Sequence, residues 1–353
     1  MNKPLDRIGA LLAELPPAYF ALVMSTGIIS IACHLLGLDG LSRPFFWLNL
    51  GLYLVLWALT ILRLVCYPAQ ILSDLKSHAR AMGFFTTVAA TSILGSQLVI
   101  LLEAGAWAEL CLGLGLGLWF LLMYAVLTAL ISRPDKPSLA ARIDGLWLVA
   151  PVSTQALAIL ACLAVSQFSG YEEGLLCLSL SLFMLGGLLS LQFHTLIIYR
   201  LLFFPLDPED LHPTYWITMG VNAISTVAGA TLATTKYGPR LLEPLHSVLV
   251  VLTIFFWTAA TWWLPLLVCL MVWRHLLRRV ELAYTPSYWG LVFPLGMYAA
   301  CTSMLAGLIN LPALAELARI FLYVALAAWL LTFLGMLRAL RRSLFGVGPA
   351  GQS

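Results

Sequence analysis

Charge is what this chain has least of. Only 10% of its 353 residues are Asp, Glu, Lys or Arg, against roughly 25% in an average soluble domain. Hydrophobic residues make up 61%. No hydrophilic stretch is long enough to fold alone, so a separate nucleotide-binding or catalytic module is excluded. The middle of every apolar run lacks a charged side chain, which removes the carboxylate of the usual proton-coupled carrier and the acid pairs of intramembrane hydrolases. His-Glu-x-x-His and Gly-x-Ser-x-Gly are both missing, and with them the helical zinc site of a metalloprotease and the nucleophile elbow of a serine hydrolase. The seven cysteines stand singly, with no Cys-x-x-Cys and no zinc-like Cys/His spacing. They read as small packing residues. The expectation is a non-enzyme with no catalytic set, no metal, no cofactor and no nucleic-acid partner.

What the chain does have is apolar length. A bilayer core of ~30 Å takes about 20 apolar residues of helix. Ten runs meet that demand: 17–37, 44–66, 81–102, 107–131, 146–167, 174–200, 214–234, 247–273, 287–309 and 317–337. The reading is an all-α integral membrane protein embedded in a lipid bilayer. Of the 19 Lys and Arg, only Arg43, Lys236, Arg240 and Arg319 fall in the loops of one side; the rest lie on the side of the two termini. Basic loops stay cytoplasmic, so both termini are expected in the cytoplasm, in the cell membrane (the inner membrane of a bacterium). Residues 1–16 form a cytoplasmic N-terminal segment, in which 5–15 make an amphipathic helix on the bilayer surface. A single ten-helix transmembrane domain follows over 17–342, then a flexible cytoplasmic tail over 343–353.

Five of the ten runs open alike. AYFALVMSTGIIS, GFFTTVAATS, LWLVAPVSTQ, TYWITMGVNAIS and SYWGLVFPLGM each begin with large aromatics and continue into small and hydroxyl residues. Anchored on Phe20, Phe85, Trp147, Trp216 and Trp289, they recur at intervals of 65, 62, 69 and 73 residues, two spans apart. Repeats whose copies must pack equivalently form closed rings or solenoids. The expected architecture is therefore ten transmembrane helices as five helical hairpins in a quasi-fivefold ring. Polar residues and helix breakers coincide on the odd helices, which places those inside, around a central pore. Phe20, Thr26, Phe85, Thr91, Trp147, Thr154, Trp216, Asn222 and Thr302 are the expected pore-lining residues. Gly27, Pro151, Gly220 and Pro294 are the expected pore kinks.

The ninth span alone sets a phenylalanine directly before a proline inside its helix. Pro294 has no N–H for the carbonyl of Gly290, and its ring crowds that carbonyl. Phe293 sits at this point. Apolar side chains in a lumen close pores by excluding water, which makes Phe293 the candidate gate. Hydroxyls and amides, with helix N-termini aimed inward, favour anions without a fixed positive charge. His194, the one titratable group deep in a span, reads as a hydrogen-bonded packing residue.

LPPAYFALVMSTGIIS, FFPLDPEDLHPTYWITMG and YWGLVFPLGMY carry a resemblance that runs in order through nearly the whole chain. The chain resembles the tellurite-resistance/dicarboxylate transporter family, which includes bacterial TehA proteins, fungal malic acid transporters and, more distantly, plant slow-type anion channels. The resemblance implies five hairpins around a pore lined by odd helices, a homotrimer, and a plugging phenylalanine in the ninth helix that falls on Phe293. Two functions stay open. One is passage of small inorganic or organic anions through a pore gated by a phenylalanine; the other is secondary carriage of C4-dicarboxylates such as malate, with a proton carried on the substrate. The lack of a lumen Arg or Lys favours the first. An intramembrane enzyme or sensor is a third class, for which the sequence offers no nucleophile–base or metal set.

Overall fold

The structure is a computed structural model and describes residues 9–345. Residues 1–8 of the expected N-terminal segment and 346–353 of the expected tail lie outside the described residues. Among the described residues ten helices are long and apolar enough to cross a membrane: Pro17–Leu35, Asp39–Cys66, Ala81–Leu102, Gly105–Ile131, Gly145–Gln167, Glu172–Phe203, Pro213–Thr234, Pro239–Leu277, Pro286–Leu308 and Pro312–Ser343. They are called spans 1 to 10 below. All ten apolar runs become helices, as a backbone that must satisfy its own hydrogen bonds in lipid requires.

The spans sort into two sets by burial. In the apolar window of the odd spans 72–94% of residues are buried, against 22–39% in the even spans. The even helices turn aliphatic faces outward, for example Leu54, Val55, Leu62 and Val65 of span 2, where lipid replaces water as the apolar solvent. Each odd span packs on the even span that follows it, giving five hairpins. The odd spans also contact one another in a closed order: 1 with 3, 3 with 5, 5 with 7, 7 with 9, and 9 back on 1.

Both ends of the hairpins repeat. At the turns between an odd span and the next even span, one residue in each adopts left-handed backbone: Gly37 (φ 77°), Glu103 (φ 52°), Gly170 (φ 87°), Gly238 (φ 58°) and Asn310 (φ 56°). Such a residue ends a helix abruptly and reverses the chain in a short link. Glu103 does so against a steric penalty of roughly 1–2 kcal/mol that glycine avoids. The opposite, proximal end is where the odd spans begin, and each begins with one turn of 3-10 helix: Pro17–Phe20, Ala81–Phe84, Gly145–Leu148, Pro213–Trp216 and Pro286–Tyr288. Proline opens three of them, where its missing N–H removes a donor that has no partner anyway. Gly145 allows the start of span 5 to press on the backbone carbonyl of Thr214 at the start of span 7; any Cβ there would clash with it.

Arginines at the proximal ends of spans 2 and 8, and one just ahead of span 3, hold these starts in place. Arg63, 3% exposed, reaches Asp74 at 2.7 Å and donates to the carbonyl of Ala13 at 3.0 Å. Arg80 Nε lies 2.8 Å from the other oxygen of Asp74. Arg274 donates to the carbonyl of Leu211 at 2.7 Å, just ahead of span 7. These basic residues therefore do more than orient loops. They clip the segments that lead into spans 1, 3 and 7.

Candidate functional site

The odd spans leave a pocket of ≈ 410 Å³ at their proximal end. Its rim takes one residue from each repeat. Pro16, Arg80, Asp144, His212 and Thr285 immediately precede the five odd spans, and all five border it. Further in stand Ala21, Thr86, Val149, Ile217 and Gly290, again one per odd span. Met24, Val152 and Phe293 border it one turn deeper, each three residues further along its helix. The same step on spans 3 and 7 arrives at Ala89 and Gly220. Phe293, 2% exposed, is the bulkiest side chain of that level. The pocket runs from a polar rim to an apolar floor, and Phe293 is part of the floor.

Helix N-termini dominate the electrostatics of the rim. Span 5 alone among the odd spans has a side-chain cap, Asp144, which accepts from the N–H of Leu146 at 3.0 Å. Spans 1, 3, 7 and 9 have no side-chain cap. The amides of Ala18, Thr214 and Ser287, which follow the opening prolines of spans 1, 7 and 9 and border the pocket, have no acceptor within their own helices. Each such end carries about half a positive charge. The rim's one guanidinium, Arg80, is paired with Asp74. Its one carboxylate, Asp144, also accepts from Thr214 Oγ1 at 3.4 Å. Burial holds the Asp144 carboxyl above the usual carboxylate range, opposed by the Leu146 N–H, the nearby His212, the Thr214 hydroxyl and Arg200.

The structure places the expected lining residues elsewhere than on this pocket. Trp329 of span 10 donates to Thr26 Oγ1 at 3.0 Å, Trp119 of span 4 to Thr154 at 2.8 Å, and Trp257 of span 8 to Thr302 at 3.0 Å. Tyr53 of span 2 lies 2.9 Å from the Thr91 hydroxyl, and Asn222 lies 3.3 Å from His194 Nε2 of span 6. Each of these five polar side chains is joined to the even span before it, with span 10 serving span 1. Thr26, Thr91 and Thr154 donate their own hydroxyl protons to carbonyls four residues back at 2.7–2.9 Å, so donor and acceptor capacity are both used. Polar joints of this kind hold helices together where lipid gives no hydrophobic drive.

The aromatic anchors are likewise turned away from the pocket. Phe20 packs edge-on to Tyr53 and Trp57 of span 2 at 6.3 and 5.5 Å. Trp147 lies 5.8 Å from Phe193 of span 6, and its indole N–H donates to the carbonyl of Arg142 at 3.0 Å. Phe85 and Trp216 are buried and do not border the pocket. The pocket-facing residue comes one position after each anchor, two after Trp147, because each residue turns the helix by about 100°.

Helical structure continues through all four expected kinks. Pro151 falls in the first turn of the α-helical part of span 5, Val149–Leu163, where a missing donor matters least. Gly27 and Gly220 serve close approach. A Cβ at Gly27 would lie 2.6 Å from Ile93, and one at Gly220 would lie 2.7 Å from Pro294 Cγ. Span 7 is thereby seated directly against the proline that follows Phe293. His194 is buried, with ring nitrogens 2.8 Å from the carbonyl of Ser190 and 3.0 Å from that of Thr218, beside the Trp263 ring. Sequence reading passed over Asp144 and the free amides, although the shared spelling Pro-small-Tyr-aromatic at Pro17, Pro213 and Pro286 marks three of the five starts.

The family described as SLAC1, voltage-dependent anion channel, matches residues 14–337. An uncharacterized transporter of Methanocaldococcus jannaschii is 24% identical over 299 residues, covering 81% of this chain and 83% of its own. A second uncharacterized transporter from that organism is 23% identical, covering 82% of each chain. An uncharacterized membrane protein of Mycobacterium tuberculosis is 37% identical over 159 residues, covering 45% of this chain and 79% of its own. With ten membrane-length helices and a match over nearly its whole length, this multi-pass membrane protein belongs to the SLAC1 family, whose activity is the transport of anions across a membrane.

Proposed function

We propose that the odd spans form a quasi-fivefold ring around a central pore for small anions, gated by Phe293, with both termini and the pocket on the cytoplasmic side. One observation carries this reading: the rim and wall of the pocket draw one residue from each odd span, and its floor ends on Phe293. Three helix N-termini with free amides on the pocket, those of spans 1, 7 and 9, attract an anion without binding it as tightly as a fixed cation would. The apolar floor withholds water, and an ion cannot cross it until the ring moves. The basic loops on the proximal side support the cytoplasmic orientation. A homotrimer, with one pore in each protomer, follows from the family resemblance.

The test is flux of chloride, nitrate, sulfite and malate in proteoliposomes. Phe293→Ala is expected to raise chloride and nitrate flux about tenfold, which a barrier lower by ~1.4 kcal/mol delivers. Unchanged flux in a folded variant removes the gate. Malate uptake that saturates and follows a pH gradient, with no passive chloride flux, favours the dicarboxylate carrier.

A further inference from the structure

A second cavity, of ≈ 690 Å³, lies between spans 8, 9 and 10 at the proximal end, apart from the pocket above. Three kinds of surface follow one another along it. Leu291 of span 9 and Ala328 and Leu331 of span 10 form an aliphatic wall. Arg338 and Arg342, one helical turn apart on span 10, border its proximal end; both are exposed, and neither has an ion-pair partner among the described residues. Glu281 borders it as well, so these three side chains leave one net positive charge.

Between the two zones stands Thr332. It borders the cavity, is 8% exposed, and its hydroxyl makes no hydrogen bond among the described residues. That departs from the habit of spans 2, 6 and 8. Thr60, Thr195, Thr253 and Thr261 each donate to the carbonyl four residues back, at 2.7–2.9 Å. A hydroxyl that opens on a cavity in an otherwise apolar wall is free to donate to whatever fills that cavity. Gly335, one turn on, leaves room for the Tyr284 side chain, which would stand 3.2 Å from a Cβ there and forms the cavity wall between Thr332 and Arg338. At a rise of 1.5 Å per residue, Arg338 stands about 9 Å and Arg342 about 15 Å along the helix from Thr332.

We propose that this groove binds an anionic diacyl phospholipid. Its phosphate sits on Arg338 and Arg342, an ester carbonyl accepts from the Thr332 hydroxyl, and an acyl chain lies along Leu331, Ala328 and Leu291. The order of cation, lone donor and aliphatic wall matches the order of headgroup, ester and chain, and basic clefts between membrane helices take anionic headgroups. Free phosphate accounts for the arginines and leaves the hydroxyl and the aliphatic wall without a role. The chain would touch span 9 at Leu291, two residues before Phe293.

The test is native mass spectrometry of the full chain in detergent with phosphatidylglycerol and phosphatidylcholine of identical chains. The wild type is expected to retain phosphatidylglycerol preferentially. Arg338→Gln with Arg342→Gln should abolish that preference, by roughly fivefold for each arginine. Thr332→Val should weaken both lipids by a smaller factor, since both carry the ester. The arginines are exposed and the valine is isosteric, so each variant is first matched to wild type by its unfolding midpoint without lipid. Equal retention of the two lipids by wild type, or an unchanged preference in the double variant, overturns the proposal. So does displacement of bound lipid by millimolar inorganic phosphate. Loss of an oligomer with lipid retention intact assigns the groove to contacts between copies and overturns it too.

Discussion

Asp144 carries a burden no other rim residue has. It caps span 5 with a full negative charge where the other odd helices leave their positive ends open. Chiefly through burial, its carboxyl is held above the usual carboxylate value of about 3.9. The folded chain therefore holds that proton more tightly than the unfolded chain does. The contribution to stability is full below the ordinary carboxylate range and is lost as pH rises through the raised value. The same titration changes the pocket. Above the raised value an entering anion meets a carboxylate, and below it a neutral group. Acidifying the proximal side should raise anion flux. Asp144→Asn, which still caps the helix, should raise flux at neutral pH and flatten the acid rise. Removing ~1 kcal/mol of repulsion, the size of one charge at 4 Å in water, gives about fivefold. Proteoliposome flux across a pH series decides this, and parallel profiles for the two proteins would rule it out. In the sequence Asp144 is one acid among several between apolar runs. Only the packing of the start of span 5 on that of span 7, through Gly145, brings it to the rim.

The joint between an odd and an even helix is the unit that repeats at the next scale. Trp119 and Thr154 form one such joint at 2.8 Å. A hydrogen bond between membrane helices contributes about 0.6 kcal/mol on average and up to ~1.7. Thr154→Val and Trp119→Phe should each lower stability by that order, and the pair together by less than the sum. Unfolding in bicelles measures all three, and strict additivity would show that the two side chains are not coupled. The hairpins themselves are legible in the sequence. Apolar length, the spacing of aromatic anchors and the charge of the loops all describe them, because each is a local property. The direction of the polar residues is not local. Thr26, Thr91, Thr154, Asn222 and Thr302 read as lining because polarity on a buried helix suggests a wet face. Their partners are aromatic or histidine side chains on helices that otherwise read as lipid-facing, and no periodicity within one span connects the two. Phe293, which borders the pocket floor, stands out in the sequence for a different reason: Phe before Pro has no counterpart in the other four copies.

Across the whole molecule, the proposed orientation can be tested without any transport assay. Reporter proteins fused after Ser353 and before Met1 should both be active only in the cytoplasm, and opposite results for the two ends would contradict an even number of spans. The bond between Thr26 and Trp329, 3.0 Å long, joins the first membrane helix to the last. During synthesis span 1 is made long before its neighbour on that side exists. Until span 10 arrives, Thr26 has its own Leu22 carbonyl, 2.8 Å away, for its proton. The seam of the molecule thus closes last, and four of the five hairpins wait in the bilayer for the fifth. Where the chain begins is then a matter of synthesis more than of shape. A gene reordered to start at span 3, with Ser343 linked to the segment before span 1, should specify the same cycle with its seam moved by one hairpin.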